Sequence, residues 1–207
     1  MSIITGIRKA LETDVVAIAS IHACSWREVY HFLPDRVQAS RDEAYRIGQW
    51  QRWFAEQPDG EALFALVDGD AVVGFAMAKP NRDLAIAVPG EFHACYILPE
   101  YRGGASGPMA MSALAEHLWT AGLWPACVWA FRNNPYRRIY PALGCVAEVF
   151  RDRDIAGLQI PEIGYRVADF ATLLGRLSKM RQRAQQKGRQ YRSRAKEPGS
   201  CSNIKPE

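Results

Sequence analysis

The chain has 207 residues, 48% of them apolar and 23% charged. That composition suits one globular domain of about 150 to 200 residues with a real core and excludes a disordered or fibrous protein. The net charge of +4 hides a division: 16 Lys and Arg against 20 Asp and Glu through residue 170, then 10 against 2.

No apolar run approaches the roughly 18 residues a membrane span needs, and the opening MSIITGIRKALETD lacks the basic-then-apolar pattern of a signal peptide. The expected compartment is the cytoplasm, with no membrane partner. Five cysteines (Cys24, Cys95, Cys127, Cys145, Cys201) are odd in number and show no CxxC spacing, so neither a disulfide framework nor a zinc site is expected. They read as small core residues.

Ile3 to Lys9 is strand-like, and Thr13 before DVVAIASIHACSW reads as the N-cap of a helix. Pro34 to Phe54 reads as a second helical region with a break expected near Gly48. In ALFALVDGDAVVGFAMAKP two apolar runs flank Asp68, Gly69 and Asp70, a strong hairpin signal. Glu91 to Leu98 is the next strand, followed by a helix over Pro108–Ala121, a strand over Ala126–Phe131 and a short helix over Pro135–Leu143. Val146 to Arg151 and Glu162 to Val167 close the set as strands. Hairpins first and alternation afterwards predict an α/β fold of the α+β kind: a mixed sheet with helices on both faces.

The organisation expected is a domain over residues 1–168, an amphipathic helix over 169–187 with Phe170, Leu173, Leu174, Leu177 and Met180 at helical spacing, and a basic, disordered tail over 188–207. No aromatic platform accompanies the tail's charge, which argues against nucleic acid as a partner.

Between the strand FHACYIL and the next helix lies YRGGASGPMAM, with Arg102 ahead of Gly103, Gly104 and Gly107. Pro108 suits the first position of a helix, and a helix start offers bare N–H groups to an anion. A dinucleotide fold needs G-x-G-x-x-G near the first strand, whereas the spacing here is G-G-x-x-G after a hairpin. A Walker loop needs Gly-Lys-Ser or Gly-Lys-Thr, which is absent. A phosphate cradle and a plain structural turn remain.

Taken together, the motifs resemble the GCN5-related N-acetyltransferases (the GNAT superfamily). Arg102 to Gly107 is similar to the family's Gln/Arg-x-x-Gly-x-Gly/Ala signature, with alanine at the first required glycine. EFHACYILPEYRG resembles the strand before it. NNPYRRIYPALGC resembles the later Asn…Tyr…Gly stretch, with Asn133, Tyr140 and Gly144 in register. SWREVY looks like the first-helix pattern of bacterial members.

The resemblance implies a mostly antiparallel N-terminal half, splayed central strands and acetyl-CoA as co-substrate. Pantetheine would lie on the backbone of Tyr96, Ile97 and Leu98, and the pyrophosphate on Arg102, Gly103, Gly104, Ala105, Ser106 and Gly107. Asn133 would contact CoA, and Tyr140 would protonate the leaving thiolate. No metal is expected. The acceptor would be a primary amine of a small molecule or peptide, near Trp26 and Tyr30, with a homodimer allowed. Ala105 requires φ below zero, and Pro108 removes one amide from the cradle.

Direct attack needs a base. A lysine-like amine with pKa about 10.4 is neutral only about once in 2,500 at pH 7, a cost of about 4.6 kcal/mol; an α-amine near 8 costs about 1.4. Alternation puts Glu91, His93 and Cys95 on one strand face. Glu91 matches a glutamate that several family members use through water, and imidazole ordinarily titrates near neutrality. A strand carboxylate also pairs with arginines, and a strand histidine or helix tyrosine also packs in cores, so these roles stay open here. So do two other functional classes: a catalytically weak acyl-CoA-binding module, and an RNA-directed protein using the basic tail.

Overall fold

The computed structural model describes residues 4–194, with side chains described through residue 187. The strands are β1 (Gly6–Lys9), β2 (Ala62–Asp68), β3 (Ala71–Pro80), β4 (Gly90–Ile97), β5 (Ala126–Phe131), β6 (Val146–Ile155) and β7 (Leu158–Val167). The helices are α1 (Val15–Val29), α2 (Asp35–Ala39), α3 (Glu43–Glu56), α4 (Ser106–Thr120), α5 (Ile139–Leu143) and α6 (Phe170–Arg194). One seven-stranded sheet runs in the order β1-β2-β3-β4-β5-β7-β6. Every neighbouring pair is antiparallel except β4 and β5, which run parallel. This is the mixed sheet the sequence predicts.

Several boundaries differ from expectation for identifiable reasons. Thr13 is not a cap: Glu12–Asp14 forms a 3-10 turn, and the Asp14 carboxylate accepts from the Leu11 amide at 2.8 Å and from Arg8 at 2.6 and 2.9 Å. The second helical region breaks at 40–42 rather than at Gly48, because Asp42 caps α3 by accepting from the Tyr45 amide at 2.8 Å. Pro108 is the third residue of α4, not its first. Strands β6 and β7 reach the turn at Ala156 and Gly157, both at positive φ (52° and 77°). Alanine gives no turn signal, so both strands read as too short. Helix α6 extends to Arg194, past the boundary expected at 187, and tail residues 195–207 lie outside the described residues.

Helices α4 and α6 cover one face, where Leu114, Leu118, Leu173 and Leu177 pack with Phe92, Val128 and Tyr165. Helices α1 and α3 cover the other, around Ile18, Trp50, Leu63 and Phe75. Each large buried side chain contributes about 1.5–3 kcal/mol, so α6 belongs to the core through Leu173 and Leu177. Of the four described cysteines, Cys127 and Cys145 are buried as expected, whereas Cys24 is exposed.

β4 and β5 share only three register pairs, Gly90 with Ala126, Glu91 with Cys127 and Phe92 with Val128. They enter side by side because Gly90 has no side chain; a Cβ there would lie 2.1 Å from the Leu123 carbonyl oxygen. Beyond Phe92 the strands part.

Candidate active site

A cavity of about 430 Å³ fills the gap where β4 and β5 diverge. On the β4 side it meets backbone whose β5-facing hydrogen-bonding groups have no ladder partner beyond Phe92. An extended ligand rich in amides could complete that edge.

The glycine loop closes one end, with Gly103, Gly104 and Gly107 on the wall. Gly103 sits at φ 75°, a left-handed conformation that glycine adopts without strain. Ala105, at φ −82° and ψ −11°, already has helical angles as the residue before α4, so alanine meets no obstacle there. The amides of Ser106 and Gly107 precede any intrahelical acceptor, and Pro108 removes only the next one.

Arg102 does not stand free. Its guanidinium donates to both Glu28 oxygens at 2.6 and 2.8 Å, to the Tyr136 hydroxyl at 3.0 Å and to the Ile97 carbonyl at 2.5 Å. It ties the loop to α1 rather than pointing spare donors at a phosphate.

Tyr30, Tyr96, Asn134 and Tyr140 also line this cleft. Asn134 accepts from the Tyr136 amide at 2.9 Å and donates to the Tyr30 hydroxyl at 3.1 Å. The Tyr140 ring lies 5.3 Å from that of Tyr165, and burial pushes its phenol well up, so it carries a proton it could donate. Cys95 shares the wall, but burial pushes its thiol up to about 12. At neutral pH it is a thiol, not a thiolate nucleophile.

A β-bulge re-aims the middle of β4. Met77 pairs with Ala94 but Ala78 pairs with Phe92, leaving His93 as the extra residue. Phe92 and Cys95 therefore pack toward α4, and Ala94 and Tyr96 toward α1. The face expected to hold Glu91, His93 and Cys95 together does not exist.

Glu91 and His93 nonetheless meet, with Nδ1 of His93 2.7 Å from Oε1 of Glu91. Burial pushes the Glu91 carboxyl up, but the hydrogen bond to His93 and the charges of His93, Lys79 and Arg153 outweigh it and hold it below the usual carboxylate range. This pair lines a second cavity of about 360 Å³. His93 and Trp129 belong to the walls of both cavities, so the pair stands where they adjoin.

The family model described as "Acetyltransferase (GNAT) family" matches residues 16–145, a span that holds the glycine loop, the Glu91–His93 pair, Tyr140 and every cleft-lining residue except Met180. The chain belongs to this acetyltransferase family. The N-acetyltransferase YuaI of Bacillus subtilis (strain 168), itself uncharacterized, is 27% identical over 169 residues, covering 81% of this chain and 95% of that one.

Solved GNAT-fold structures superpose on it. One is yncA of Salmonella typhimurium with its cofactor acetyl-CoA (18% identity, TM-score 0.60, 79% of this chain and 92% of that one). Another is the phosphinothricin acetyltransferase of Sinorhizobium meliloti in complex with acetyl-CoA (17%, TM-score 0.61, 78% and 86%). At such identities the likeness establishes the fold.

Within this GNAT domain, Tyr96, Ile97, Arg102, Gly103, Gly104 and Gly107 line the cleft, whereas Leu98, Ala105 and Ser106 do not. Asn133 is exposed and does not line the cleft, whose wall includes its neighbour Asn134. Tyr30 lines the cleft, but Trp26 packs behind it in the core, ring centroids 4.5 Å apart. Asn134 carries a sequence signal, an asparagine before proline at a helix start. The second cavity carries none. Among the described residues no group of three or more His, Cys, Asp or Glu could hold a metal ion, and no helix is long and apolar enough to cross a membrane.

Proposed function

We propose that this protein moves an acetyl group from acetyl-CoA to the amine of a small molecule or peptide by direct attack. The observation that carries this reading is the divergence of β4 and β5. It sets an unpaired strand edge, a glycine-rich helix start and a protonated phenol around one cleft, with the imidazole of the Glu91–His93 pair on its wall.

The residues present fit the coenzyme. The free edge of β4 at Tyr96 and Ile97 would hold the amides of the pantetheine arm, and the backbone of Gly103, Gly104, Ser106 and Gly107 the pyrophosphate. The coenzyme supplies an acyl group already activated as a thioester. His93 takes the proton of the attacking amine while Glu91 orients its imidazole. The new C–N bond forms, the C–S bond breaks with its electron pair going to sulfur, and the Tyr140 hydroxyl gives the departing thiolate a proton. The neighbours solved with acetyl-CoA support the choice of co-substrate.

The test is calorimetric titration with acetyl-CoA, followed by a thiol-release assay against amines, amino acids and peptide N-termini. Saturable binding and acceptor-dependent thiol release are expected. No binding at millimolar coenzyme would end the reading.

A further inference from the structure

The second cavity has both signs of charge on its walls. At the inner end stand Glu91 and His93; around them are Lys79, Arg82 and Arg153, with Asp83 as the other acid. Asp83 is already neutralised, because Arg151 donates to its two oxygens at 3.1 and 2.5 Å. The same Arg151 donates to Glu162 at 2.7 Å, which leaves Arg153 a longer, shared contact with that carboxylate at 3.8 Å. Lys79 lies 3.7 Å from Glu91. Among the described residues Arg82 has no ion-pair partner and is exposed at the rim.

Arg151 is shared by two carboxylates, so four cations (Lys79, Arg82, Arg151 and Arg153) face three carboxylates (Asp83, Glu91 and Glu162), and the guanidinium charge left without a partner is that of Arg82 at the rim. A neutral amine would leave that guanidinium charge without a complement. A guanidinium matches a carboxylate in shape as well as charge.

We propose that this cavity is the acceptor site, and that the acceptor is a free amino acid: its amine sits at Glu91 and His93, and its carboxylate at Arg82 and Arg153. This rests on the acetyltransferase reading above and narrows it, since the N-terminus of a peptide has no carboxylate beside its amine. The amine nitrogen bonds to the acetyl carbon as the C–S bond breaks, one amine proton passes to His93, and the sulfur takes its proton from Tyr140. The product keeps its carboxylate and loses the positive charge that Glu91 holds, which favours release.

The experiment is a thiol-release panel of the twenty L-amino acids, each compared with its decarboxylated amine and its methyl ester, on the wild type and on Arg82→Gln and Arg153→Gln. At least one amino acid should be used with kcat/KM a hundredfold or more above its amine and ester. Each arginine variant should cut that preference at least tenfold through KM, with acetyl-CoA affinity held within threefold. Arg82 is exposed, so its variant tests the idea even if Arg153→Gln, beside Glu162, fails to fold. Equal use of acid and amine, or acetyl-CoA binding with thiol release to simple amines but to no amino acid, overturns this inference and leaves the acetyltransferase reading standing. Loss of acetyl-CoA binding by the wild type overturns both.

Discussion

The imidazole Nδ1 of His93 lies 2.7 Å from the Glu91 carboxylate although the two are only two residues apart on one strand. The bulge that leaves His93 unpaired against β3 makes this possible. Glu91 is held below the usual carboxylate range, so it is already ionised at any working pH and serves as the anion that fixes the ring. Glu91→Gln should lower kcat about 10- to 100-fold, with acetyl-CoA affinity within threefold. His93→Gln should lower kcat at least as far, again with acetyl-CoA affinity within threefold. Unchanged turnover in His93→Gln would assign the base to another group.

Tyr140 packs against Tyr165 of β7, ring centroids 5.3 Å apart, and lines the cleft together with Cys95. Since burial keeps the phenol protonated, Tyr140→Phe removes a proton donor with little change in volume. Single-turnover thiol release should slow tenfold or more, while the acetyl-CoA dissociation constant from calorimetry changes less than twofold. Equal losses in affinity and rate would make the residue a packing element.

Arg102 and Glu28 bind each other bidentately across the mouth of the glycine loop. A coenzyme phosphate would compete for the same guanidinium, and the half-exposed Glu28 places a negative charge beside the cradle. Such an exposed pair is worth at most about 1 kcal/mol, so Glu28→Gln should tighten acetyl-CoA two- to fivefold. Arg102→Gln should weaken it. Were Glu28→Gln to weaken binding instead, the pair's role would be to hold the loop in place.

What could be read in advance was what local sequence determines. The hairpin around Gly69, the six-residue apolar run of β5 and the glycine loop before α4 all fall where their own residues direct, and the order of elements led to the family. The bulge at His93 could not be read, because β3 pairing creates it and no residue near it signals a break in alternation. The Arg102–Glu28 pair joins residues 74 positions apart. The second cavity draws on β3, the following loop, β4, β5 and β6, and no spacing in the chain joins Lys79, Glu91 and Arg153. Asn133 and Asn134 show the limit on a finer scale. The motif register favoured the first, while the cap geometry at Pro135 turned the second inward.

His22 offers a test of the other face of the sheet. It is buried among Trp50, Phe75 and Tyr96, with ring centroids at 5.7, 5.1 and 4.8 Å, and its Nδ1 has no hydrogen-bond partner. Burial, reinforced by the positive charges of Arg46, His93 and Arg41, pushes its pKa well below the ordinary 6.5. The unfolded chain therefore takes up a proton below about pH 6.5 that the native state refuses, and stability must fall as pH falls. The contribution is fully present above pH 6.5. Below it the loss grows as pH falls toward the folded-state pKa. His22→Phe keeps an aromatic ring among the three others and removes the titrating group. Urea unfolding at pH 7.5 and pH 5.0 should show wild type losing more stability than His22→Phe between the two conditions, since every other carboxylate and imidazole is common to both proteins. Parallel losses would mean that His22 is protonated in the folded state, with an acceptor for its proton inside the helical layer.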